Sequence, residues 1–124
     1  CLQDPVRLND YSEPEPDIAI LFPDPLDYAD HHPTPAEVYL LIEVSDKTLK
    51  FDRETKAPAY ARSGIAEYWV LDVNAGKLHV YRSPSEAGYQ SETILSEALT
   101  IAPLAFPECV IAVKEMLRSL PQAE

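Results

Sequence analysis

Asp17, Glu43 and Lys56 are the side chains in this 124-residue sequence whose types and settings offer chemistry. Glu43 stands inside the apolar run 37–45, "EVYLLIEVS". A carboxylate is costly to bury there unless something pairs with it. Asp17 follows Pro16 at the head of a second apolar run, 17–22, "DIAILF". The two acids are far apart in the chain but meet if those runs are neighbouring strands. Two adjacent carboxylates repel, and a cation between them removes the penalty. A hard divalent ion suits oxygen ligands and keeps several waters, so Mg²⁺ is the expected ion and Mn²⁺ its substitute. Lys56 comes four residues after Asp52, on the same helical face as Asp52 and Tyr60. An ammonium aimed at the carboxylate pair would steady charge on a pentacovalent phosphate or orient a water.

Each of these residues taken singly has a plainer role. Asp17 serves as a turn or cap residue, Glu43 as a partnered structural acid, and Lys56 as a solvated lysine or a partner of Asp52. The combination is what points to a site. Other residues stay plain. His31 and His32 fall in the proline-rich loop 23–35 and read as solvated. Tyr68 and Trp69 read as core, and Tyr60 as core or as a hydroxyl near the site. No glycine-rich phosphate loop or nucleophile elbow is present, and the chain has only 3 glycines.

The elements that must position these residues follow from periodicity. Residues 1–16 read as a strand end leading into a polar loop, and 17–22 and 37–45 read as strands. The second is nearly continuous in apolar residues, as in a strand covered on both faces. Between Lys47 and Ser63 the spacing turns helical, with Gly64 placed as the C-terminal cap. Pro58 interrupts it, so a kink or break is expected near 54–58. Strands follow at 66–73, 78–83 and 88–95, with a turn at 74–77 joining the first two. A short extended piece, 99–103, leads toward a terminal helix, 113–120, with Val113, Met116, Leu117 and Leu120 on one face. The order predicts an α/β (α+β) architecture: a mixed sheet crossed by a helix, which joins 37–45 to 66–73 if those strands are parallel.

Length and composition fit one domain spanning residues 1–124, with 46% apolar and 25% charged residues. Nothing approaches a membrane span. The 2 cysteines, Cys1 and Cys109, form no metal or disulfide framework, so a reducing cytoplasm is expected. A net charge of −11 argues against a broad nucleic-acid footprint and leaves a local basic strip as the route to such a partner.

The stretches "PEPDIAIL", "LLIEVSDKTLKFDRETKAPAYARSGIAEYWVLD", "KLHVYRSP" and the late "FPE" resemble the Uma-two family of bacterial restriction-endonuclease-like proteins. The resemblance covers nearly the whole chain. It implies the restriction-endonuclease-like, Pro-Asp…(Asp/Glu)-X-Lys, nuclease superfamily. It also implies an N-terminal helix and strands upstream that this chain would lack. Carried over by position, Asp17 and Glu43 are the two acidic ligands of Mg²⁺ and Val44 lends a backbone carbonyl. The superfamily's lysine position, two residues after the glutamate, is Ser45 here. The resemblance implies that Lys56 on the following helix takes over that role, with Asp52 holding it. The implied activity is metal-dependent endonucleolytic hydrolysis of DNA. The alternative is a catalytically silent module of the same fold that binds a protein partner. A homodimer is expected from the need for two sites on duplex DNA and from an edge strand at 88–95.

Overall fold

The computed structural model describes the backbone of residues 6–7 and 18–21, and residues 35–118 in full. Among these, six strands form one mixed sheet in the order β1 (Val6–Arg7), β2 (Ile18–Leu21), β3 (Val38–Ser45), β4 (Glu67–Asp72), β5 (Lys77–Ser85) and β6 (Gly88–Ser96). Only the β3–β4 pair is parallel, with Glu43 opposite Val70; every other pairing is antiparallel. A parallel pair needs a crossover, and the helical segment 49–62 supplies it. The expected mixed sheet crossed by a helix is the observed one.

The crossover contains the expected break in a specific form. Regular turns at α1 (Leu49–Phe51) and α2 (Ala57–Arg62) flank one widened turn, Asp52–Lys56, in which the Ala57 N–H donates to the Asp52 carbonyl five residues back. Pro58 has no N–H to give and would crowd the preceding turn of a regular helix. Starting α2 afresh at Ala57 puts Pro58 in a first turn, where no such bond is required. Gly64 closes α2 at φ +84°. The Gly64 N–H donates to the Ala61 carbonyl at 2.9 Å and the Ile65 N–H to the Tyr60 carbonyl at 3.1 Å. This glycine-capped ending satisfies the last carbonyls.

Side chains alternate across the strands and divide the core in two. On the helix side, Leu41, Tyr68, Val70 and Tyr81 pack with Ala57, Tyr60 and Ile65. On the far side, Leu40, Ile42, Trp69, Leu71, Leu78 and Val80 pack with Val113. That side is roofed by a small hairpin of β7 (Thr100–Ile101) and β8 (Ile111–Ala112) and by α3 (Val113–Arg118), whose Met116 and Leu117 also face the core. Leu120, expected on the same helical face, lies outside the described residues. Tyr68 and Trp69 are fully buried, as expected of core residues.

Two strand boundaries and one unexpected strand depart most from the sequence expectation. The β4–β5 turn occupies residues 73–76, one residue earlier than expected, with the Gly76 N–H donating to the Asp72 carbonyl at 2.9 Å. Strand β5 runs on through Pro84 to Ser85, because β4 has ended beside Arg82 and Pro84 has only β6 as a neighbour. A proline there removes no bond on the vacated side. Strand β8 had no visible alternation, being 2 residues long.

Candidate active site

Position 43 faces the crossover helix because Leu41, Glu43 and Ser45 share one face of β3. Glu43 is 3% exposed. Its Oε2 accepts a hydrogen bond from Lys56 Nζ at 2.9 Å, and the Tyr60 hydroxyl lies 3.5 Å from the same oxygen. Lys56 Nζ also lies 3.6 Å from Asp52 Oδ1, so the ammonium sits between two acids. Asp52 is fixed in turn: Thr48 Oγ1 donates to its Oδ2 at 2.9 Å, and the Tyr68 hydroxyl donates to its backbone carbonyl at 3.1 Å. The carbonyl that Tyr68 touches is also the one at the head of the widened turn.

Lys56 has 13% of its side chain exposed. Burial works against its charge, but the hydrogen bond and charge of Glu43, and then the charge of Asp52, outweigh it and raise the pKa above the ordinary lysine value. The group is therefore an ammonium at neutral pH. It can hold and stabilise negative charge, and it is a poor proton acceptor.

The structure thus brings Glu43, Lys56 and Asp52 together, with Lys56 on the helix as the sequence reading required. Ser45, at the position two residues after Glu43, is fully buried, and its Oγ has no hydrogen-bond partner among the described residues. Val44 is half-buried on β3, where its register partner is Leu71. Asp17, His31 and His32 lie outside the described residues. Among the described residues no three of His, Cys, Asp or Glu gather as a metal-holding group. Thr48 and Phe51 belong to this site and were not singled out from the sequence. Thr48 is the residue four before Asp52, which is a recognisable spacing for a side-chain contact. The Phe51 ring centre lies 5.7 Å from Lys56 Nζ, and no regular helical spacing connects those two positions.

A second polar group lies two to three strands further along the same face, on β5 and β6. Arg53 donates to the Tyr81 hydroxyl at 3.0 Å and to Glu92 Oε2 at 2.9 Å, and the Tyr81 hydroxyl donates to Glu92 Oε2 at 2.8 Å. Burial pushes Tyr81 up to about 12. Burial would raise the Glu92 carboxyl, but the hydrogen bonds from Tyr81 and Arg53 hold it below the usual carboxylate value. His79 is buried with its Nδ1 3.8 Å from Glu92 Oε2, and burial and then the Arg53 charge lower its pKa, leaving it neutral at pH 7.

A mixed sheet with one parallel pair and a helical crossover between its strands defines an α+β protein, with an acid on the first of those strands and an ammonium on the connecting helix. A solved structure, "Crystal structure of a putative nuclease belonging to DUF820 from Anabaena variabilis ATCC 29413", matches with a TM-score of 0.60 at 16% identity. The match covers 84% of this chain and 59% of that one, so the present chain spans well under two thirds of that protein's length. The chain belongs to the Uma2 family, described as "Putative restriction endonuclease", whose family model matches residues 1–114. No curated protein matches it. No helix among the described residues is long and apolar enough to cross a membrane.

Proposed function

We propose that this chain is a nuclease that hydrolyses phosphodiester bonds in DNA with a divalent metal, Mg²⁺ or in its place Mn²⁺. The observation that carries the reading is Glu43, buried on a parallel strand, with the Lys56 ammonium 2.9 Å from its carboxylate. Glu43, Asp17 and the Val44 carbonyl would hold the metal, an all-oxygen donor set of the kind a hard ion prefers. Strand β2, which Asp17 precedes in the sequence, runs antiparallel beside the strand that carries Glu43, with Ile18 paired to Ile42. When bound, such an ion lowers the pKa of a water and offsets charge on the phosphate.

The chain's own groups have separate tasks. Lys56 stays charged and stabilises negative charge developing on the phosphate, with Asp52 and Thr48 keeping its ammonium in place. The Tyr60 hydroxyl keeps a donor 3.5 Å from Glu43. Proton abstraction is not assigned to Lys56, because its pKa is raised. The reaction belongs in the cytoplasm, and the exposed edge strand β6 supports a homodimer that brings two such sites to a duplex.

The test is cleavage of DNA by the full-length protein with Mg²⁺ or Mn²⁺, beside Glu43→Gln. Cutting that depends on metal and vanishes in the variant supports the reading. No cutting at any salt, with no Mg²⁺ site by titration, ends it. The net charge of −11 favours a second reading, a silent module of the same fold that binds a protein. Under that reading Asp17→Asn and Glu43→Gln leave partner binding unchanged.

A further inference from the structure

The nuclease reading leaves open how so acidic a chain holds a polyanion, and the residues around Lys56 supply an answer. Lys47, Lys50, Arg53, Lys56 and Arg62 are half of the chain's 10 basic residues, and all lie within or beside the crossover segment. Lys47 and Lys50 are exposed. Between them and Lys56 stands Phe51, 50% exposed although it is a large apolar ring. In a regular helix residues five apart lie about 140° apart around the axis. The widened turn Asp52–Lys56 narrows that offset, and the Lys56 ammonium lies 5.7 Å from the ring centre. Such widened turns recur at functional sites. Lys56 therefore connects a buried carboxylate at 2.9 Å to an aromatic ring half open to water.

We propose that Phe51 is the strand-holding contact of this site, a ring on which a nucleobase next to the scissile phosphate stacks. The inference rests on the nuclease reading and deepens it. A stacking ring is tolerant of sequence, because every base has a π-face. It also supplies affinity that does not depend on charge, which a chain of net charge −11 needs. A base can reach such a ring only when it is out of its own stack. The base flanking the cut must therefore leave its stack, which costs least in single-stranded, gapped or frayed DNA and requires flipping that base out of a duplex.

The experiment uses full-length protein with single-stranded and fully paired oligonucleotides carrying 2-aminopurine beside the cleavage position. Cleavage is followed with Mn²⁺ and base fluorescence without metal. Phe51→Ala should raise KM on the single strand between about 5-fold and about 100-fold, the range of one lost stacking contact, while kcat changes little. The fluorescence change on binding should vanish in Phe51→Ala and persist in Phe51→Tyr. Phe51→Leu keeps apolar bulk without a π-face and should behave like Phe51→Ala. If wild type cuts while Phe51→Leu and Phe51→Ala keep its KM and its fluorescence change, the stacking role is overturned and the nuclease reading survives. If wild type cuts no substrate, both fall together.

Discussion

Glu43 and Glu67 are both buried acids on central, adjacent strands of one sheet, and they are met by different groups. Glu67 is 0% exposed on the far face. Its Oε2 accepts from Trp69 Nε1 at 2.8 Å and from Arg82 Nε at 2.8 Å and forms an ion pair with Arg82 Nη2 at 2.7 Å, while Oε1 accepts from the Leu104 N–H at 2.8 Å. Arg82 Nη2 also donates to the Ala102 carbonyl at 2.8 Å, so the acid and its arginine tie the loop after β7 onto the sheet. Those donors are an indole, a guanidinium and a backbone amide, each fixed by the fold. Glu43 instead meets a flexible lysine stem and a phenol at a long 3.5 Å. The lesson is that burial of an acid does not mark a site. What marks it is which groups meet the acid, and whether a ligand can replace them.

Breaking the comparison should give its largest effect at Glu43. Glu43→Gln keeps an acceptor for Lys56 and should lower metal-dependent cleavage by roughly 100-fold or more, with the melting temperature little changed. Glu67→Ala should invert that pattern. Leaving Arg82 and Trp69 without their acceptor should cost about 3 kcal/mol in denaturant unfolding, with kcat of the folded protein unchanged. An active-site role for Glu67 would show instead as a loss of kcat at full stability.

Lys56→Met sharpens the helix side. It should lower kcat by roughly 100-fold, since the only ammonium described at Glu43 is lost. Lys56 has a raised pKa, so its stabilising charge is complete below the ordinary value of 10.5 and is lost only as pH rises through the raised value. Denaturant unfolding of the metal-free protein should accordingly show no pH dependence from Lys56 between about pH 6 and 9. A dependence there that disappears in Lys56→Met would contradict the raised pKa.

Smaller effects should come from single donors and from His79. Trp69→Phe removes one of three hydrogen bonds to Glu67 and should cost about 1 kcal/mol by thermal or chemical unfolding. The lowered pKa of His79 means that the unfolded chain takes up a proton first as pH falls through 6.5. Stability should therefore decline from about pH 6.5 downward, and His79→Gln should flatten that part of the curve.

The sequence made part of this comparison visible. Glu43 stood out because it interrupts an apolar run, and Lys56 because its spacing to Asp52 is helical. The Gly64 ending and the Pro58 break were legible for the same reason, since both residues restrict the backbone locally. Glu67 gave no signal, because it sits at a strand start where an acid commonly meets water. Its burial is set by the hairpin β7–β8 and the loop after it, whose strands are too short to show a period. The Phe51–Lys56 contact was equally hidden, since it depends on a turn that departs from regular helical geometry.

The central claim is that Glu43 is a metal ligand and not a second structural acid like Glu67. Anomalous diffraction from crystals of the full-length protein soaked in Mn²⁺ tests it most directly. A peak is expected at ligand distance, about 2 Å, from the Glu43 carboxylate and shared with Asp17, with none at Glu67. A map with no peak at Glu43, and Lys56 still bonded to it as before, would rule out Glu43 as a metal ligand.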